Sequence, residues 1–80
     1  MNRFRELRKK NHLTQAELIS QYNERFGRTY SIPALSLFEN GHRLPELPAL
    51  QDFADFFGVS VDYLLGKDSP QVFNPPSDFF

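Results

Sequence analysis

The stretch Ser36-Leu37-Phe38-Glu39-Asn40-Gly41 reads as the end of a short helix, with Leu35 and Phe38 one turn apart on an inward face and glycine as the stop. Upstream, Leu13-Thr14-Gln15-Ala16-Glu17-Leu18 opens another helix. Thr14 and Glu17 have the spacing of a capping box, in which hydroxyl and carboxylate each satisfy an orphan amide. Leu13 and Leu18 are placed to pack across it as a staple. Downstream, Phe57-Gly58-Val59-Ser60-Val61-Asp62-Tyr63-Leu64-Leu65-Gly66 closes one helix at Gly58, caps a short one with Ser60 and stops it at Gly66.

Working outward, Asn2 to about Asn11 is predicted as a first helix, with Phe4 and Leu7 as its apolar stripe. The second runs from Thr14 to about Arg25 with Leu18, Ile19, Tyr22 and Phe26 on one face, and Gly27 ends it. Arg28-Thr29-Tyr30 connects to a third helix. Ser31 is its candidate cap and Pro33 fits its first turn, while the residue before a proline avoids the helical region. Ile32 is therefore expected to be extended or to act as the cap itself. After the loop His42-Arg43-Leu44-Pro45, a fourth helix starts near Glu46 or Leu47. Its Leu50, Phe53, Ala54 and Phe57 recur at i, i+3, i+4, i+7, the clearest amphipathic pattern in the chain. A fifth covers Val61 to Leu65. The expected core is Phe4, Leu7, Leu18, Leu35, Phe38, Leu50, Phe53, Phe57 and Leu64. The fold class is all-α, a compact five-helix domain over 1–66, followed by a Pro- and Phe-containing extended tail over 67–80.

Eighty residues, 40 % of them hydrophobic and 15 % aromatic, allow one small core. Without cysteine there is no disulfide framework or thiolate metal site. His12 and His42 lack ligand-like spacing, so no metal and no cofactor is expected. No catalytic constellation or glycine-rich phosphate loop is visible, which disfavours an enzyme. No apolar run approaches the roughly 20 residues of a membrane span. Met1-Asn2-Arg3-Phe4-Arg5 is not followed by the apolar segment of a secretory signal, so a cytoplasmic protein is expected. Net charge is −1, but it is unevenly distributed. Residues 1–43 carry eight Lys/Arg against four acids, whereas residues 44–80 carry one lysine against six. That asymmetry implies one cationic face, or ordinary surface charge that happens to segregate.

Taken in this order, the basic first helix, Leu-Thr-Gln-Ala-Glu-Leu, Phe-Glu-Asn-Gly, the apolar fourth helix and Gly-Val-Ser-Val-Asp-Tyr-Leu-Leu-Gly resemble the helix-turn-helix domain of phage repressors and Cro-type regulators, over residues 3–66. The resemblance implies a lambda-repressor-like fold and a regulator of transcription that reads a double-stranded DNA operator. A recognition helix at about 32–40 would lie in the major groove. By position, Gln15 and Asn40 resemble phosphate anchors; Gln15 is otherwise a plain exposed side chain and Asn40 a helix cap. Arg43 and Arg28 are further phosphate candidates, with Arg28 in a turn longer than compact members have. That turn would bring Arg25 and Arg28 beside the recognition helix, or be a solvated loop. Arg8 and Glu39 resemble a structural ion pair joining the first and third helices.

The base-reading positions by resemblance are Ile32, Pro33, Ser36 and Leu37. Here the chain departs from the family, whose members often carry Gln, Arg, Lys or Asn, since one hydroxyl and three apolar groups suit thymine methyls rather than bidentate contacts. The alternative is a protein-interaction module, antitoxin-like, using this apolar face or the aromatic tail. A weak homodimer is expected and no membrane contact.

Overall fold

A computed structural model describes residues 2–67, in which five helices follow one another: α1 (Phe4–Lys10), α2 (Gln15–Phe26), α3 (Ile32–Glu39), α4 (Leu47–Phe57) and α5 (Val61–Leu64). The described residues contain no strand. Apart from Lys67, the tail expected over 67–80 lies outside the described residues.

The chain starts and stops its helices by local chemistry. At α2, Thr14 Oγ1 accepts from the Glu17 amide (3.0 Å) and the Glu17 carboxylate accepts from the Thr14 amide (2.8 Å), closing the capping box. Ser31 and Ser60 cap α3 and α5 by accepting from the amides of Ala34 and Tyr63. Ile32 differs from expectation: it is the first residue of α3, and Ser31 takes the extended cap conformation in its place. With Ser31 Oγ already holding the Ala34 amide, Ile32 and Pro33 occupy the first turn, where a missing N–H costs nothing. Helix α1 begins two residues later than expected, because the Asn2 carboxamide accepts from the Phe4 amide at 3.1 Å and stands outside the helix. Helix α5 ends at Leu64, with Leu65 as its cap.

All five helices close the same way: the residue after the stop donates its amide back to a carbonyl five positions earlier. The pairs are Leu13 to Arg8, Arg28 to Asn23, His42 to Leu37, Val59 to Ala54 and Lys67 to Asp62. This closure needs a left-handed residue. Glycine supplies it at 27, 41, 58 and 66, while His12, at φ 60°, is the sole non-glycine with positive φ among the described residues.

The core gathers around Phe53 of α4. Its ring stacks on Tyr22 of α2, meets Phe4 of α1 edge-on at 5.1 Å and Phe38 of α3 edge-on at 6.0 Å. Leu7, Leu18, Leu35, Leu50 and Leu64 complete it, together with Ile19, Tyr22, Ala49 and Ala54, which the expected core omitted. Phe57 is a correction: it is half-buried, not inside. It falls on the last turn of α4, where the stripe drifts off the core and the chain turns away at Gly58. There it lines an open groove of about 610 Å³ with Leu7, Lys10 and Tyr63.

The long α2–α3 turn is folded onto the body. The Asn23 side chain donates to the Tyr30 carbonyl (2.8 Å) and accepts from the Tyr30 amide (3.1 Å). The Tyr30 ring then packs edge-on against Phe38.

A candidate nucleic-acid interface around helix α3

Helix α3 buries Leu35, Phe38 and Glu39, so its other side faces outward. Ile32 and Leu37 are 42 % and 39 % exposed, Pro33 is exposed and Ser36 half-buried. These four residues, singled out as base readers, therefore share one outer face, which continues to the exposed Asn40. No side chain on it is charged.

Glu39 is the hub behind that face. Its side chain is fully buried, yet it is a carboxylate, and burying it is tolerable only because donors surround it. Arg8 grips it as a fork, Nε to Oε2 at 2.5 Å and Nη2 to Oε1 at 3.2 Å, and also donates from Nη1 to the Leu13 carbonyl. Gln15 Nε2 donates to Oε1 at 3.1 Å and Arg5 Nε reaches the same oxygen at 3.4 Å. Burial alone would raise the Glu39 pKa. Hydrogen bonds from Arg8 and Gln15, the charge of Arg8 and the contact from Arg5 outweigh that, holding the carboxyl below the usual glutamate range. Three elements meet at one carboxylate: α1 through Arg5 and Arg8, the first residue of α2, and the end of α3.

Arg8 and Glu39, expected as a pair, are thus together. Gln15, a candidate phosphate anchor, stands at the start of α2 with one amide hydrogen committed to Glu39 and the second without an acceptor among the described residues. Asn40 caps α3 and accepts from Arg5 Nη2 at 2.6 Å. Arg43 is exposed beyond the Gly41 turn, beside His42. Arg28 and Arg25 are turned to α4 rather than to α3. Arg28 pairs with Asp52 at 2.8 Å, while Arg25 lies over the Phe26 ring and reaches Asp55 at 3.9 Å. Arg3 lies over the Tyr63 ring at 4.1 Å and donates to the Tyr63 carbonyl, joining α1 to α5.

Arg5 was not among the residues singled out from the sequence. The signal was available: Arg5 precedes Arg8 by three residues and so shares its helix face. The Gln15–Glu39 bond had no local signature, because it spans 24 residues. Among the described residues no group of His, Cys, Asp and Glu gathers as a metal would require, and no helix is long and apolar enough to cross a membrane.

A short helix, capped at its start, anchored at its end to the two helices before it and bare on its outer side, defines a helix-turn-helix domain. The family model described as helix-turn-helix matches residues 4–64, and the chain belongs to that family, the Cro/C1 type. Membership points to a DNA-binding regulator. No curated protein and no solved structure matches the chain.

Proposed function

We propose that this protein is a sequence-specific regulator of transcription, repressor-like and of phage or prophage type, acting in the cytoplasm on a double-stranded operator. The observation that carries the reading is the Glu39 hub. It ties the start of α2 and the end of α3 to α1 through one carboxylate, so that Gln15, bonded to Glu39, and Asn40, bonded to Arg5, are held beside the same cluster. Gln15, Asn40 and Arg43 hold phosphates, which set the register of the domain without reading sequence. Ile32, Pro33, Ser36 and Leu37 enter the major groove, where apolar groups meet thymine methyls. Arg28 joins the phosphate set only by leaving Asp52. An eight-residue helix reads few base pairs, so two copies bind half-sites one helical turn apart.

The exposure of Ile32 and Leu37, with Leu44 and Leu47 nearby in sequence and more exposed still, supports a second reading, a surface for a protein partner. Selection of bound duplexes from a random pool, followed by a salt titration of the winner, separates the two. A DNA reader enriches a sequence and loses affinity with a log–log slope of about −0.9 per phosphate contact. Failure to enrich any duplex, with binding that ignores salt, sinks the DNA reading in favour of a protein partner.

A further inference from the structure

The N-terminal segment holds the far end of α3. Asn2 Nδ2 donates to the Phe38 carbonyl at 2.7 Å, and Arg5 spans two consecutive residues of α3's end, Nε to Glu39 Oε1 and Nη2 to Asn40 Oδ1. A guanidinium has donors and no acceptor, so Asn40 must offer it the amide oxygen. The two Nδ2 hydrogens then point away from α1. Asn40 is exposed, and among the described residues no protein acceptor takes those hydrogens. A phosphate oxygen only accepts, so this orientation of the amide meets it, and the flipped one sets oxygen against oxygen.

We propose that Arg5 is a positioning residue, which fixes the Asn40 amide with its NH2 outward as the donor for a DNA phosphate. This rests on the DNA-binding reading above. The bond to Glu39 sets the plane of the guanidinium, and that plane sets the amide. Lysine carries the same charge but as a point on a flexible stem, and it cannot hold both acceptors in a fixed fork. Charge and positioning are therefore separable in one substitution.

The experiment titrates a selected duplex against the full chain for the wild type, Arg5→Lys, Asn40→Ala and the double variant across a salt series. Arg5 is half exposed and the change leaves the core untouched, which thermal unfolding of each variant checks. Arg5→Lys is expected to weaken binding about fivefold, the scale of one hydrogen bond, with the salt slope unchanged. In the Asn40→Ala background the same change is expected to have no further effect. Arg5→Lys binding as tightly as the wild type, or losses that multiply in the double variant, would overturn the proposal. A second measurement needs no DNA: the side-chain amide resonances of Asn40 in the free protein should shift in Arg5→Lys, and unchanged resonances would overturn it equally. If the wild type itself shows no salt-dependent duplex binding, the DNA reading fails, while the resonances still decide the amide.

Discussion

Tyr22 and Phe53 lie ring on ring, with centroids 3.7 Å apart and planes 3° from parallel, and the Tyr22 hydroxyl donates to the Ala49 carbonyl at 2.9 Å. This stack joins α2 to α4 through the centre of the molecule. Burial pushes the Tyr22 phenol well above its ordinary pKa, so it remains a neutral donor. Phe53→Ala is expected to cost about 3–5 kcal/mol, most of a small domain's stability, because the cavity opens against Phe4, Tyr22 and Phe38 together. Tyr22→Phe keeps the stack and loses one hydrogen bond, about 1 kcal/mol. Urea unfolding of both variants ranks them; equal losses would show that the hydroxyl matters as much as the ring.

Glu39 makes stability depend on acid. Its carboxyl is depressed in the folded protein, so the unfolded chain binds a proton first and stability rises with pH through this window. The contribution is fully present above the ordinary glutamate pKa of about 4.3 and is lost as pH falls through the lower folded value. Glu39→Gln should lower stability at neutral pH by about 2–4 kcal/mol, since Arg8 is left without its partner. The variant should also lose the steep part of the acid dependence. Melting curves from pH 7 to pH 2 decide it: a parallel pair of profiles would remove Glu39 from the acid response.

Gln15→Ala and Arg43→Ala are expected to weaken binding to specific and random duplexes alike, and Arg43→Ala should reduce the magnitude of the salt slope by about 1. Competition binding on the two duplex types tests this. A change in which sequence is preferred would make the residue a reader instead.

Leu37→Ala should relax the preference at one base pair by about 1 kcal/mol, the low end for such a contact, because a methyl contact is apolar and shape-dependent. The salt slope should scarcely change. Repeating the duplex selection with the variant reads both. Were affinity and preference intact, α3 would not be the reader, and its apolar face would be better explained by a protein partner.

Arg28→Ala separates a fold role from a DNA role. With Arg28 held by Asp52, the substitution is expected to lower the melting temperature and leave the salt slope as it was. A slope smaller by about 1 would mean that Arg28 exchanges Asp52 for a phosphate on binding.

Much of the fold was legible because its signals are local. Thr14 with Glu17, Ser60 with Tyr63, and the glycines at 27, 41, 58 and 66 act within one turn of themselves, and a helical stripe such as Leu50, Phe53, Ala54 repeats every three or four residues. Even so, periodicity says which side of a helix is apolar and not where its neighbour ends. That is why Phe57 fits the stripe but stays half open, and why Tyr22 emerged as the partner of Phe53 only in three dimensions.

The candidate site divides in the same way. By itself the sequence determined that Leu35 and Phe38 turn inward on α3, while Ile32, Pro33, Ser36 and Leu37 were named for its outer face only through the resemblance. Only the tertiary structure decided the polar pairings beyond Arg8–Glu39, which the resemblance had implied. Eight Lys and Arg residues lie in the first 43 positions, and nothing local tells which of them joins Arg8 at Glu39 or which meets Asp52. Packing α1 across the end of α3 brings Arg5, Arg8 and Gln15 to one buried carboxylate, and folding the turn back on α4 gives Arg28 to Asp52. A buried charge takes whichever donors the packed helices deliver to it, and that is set by distances across the fold rather than along the chain.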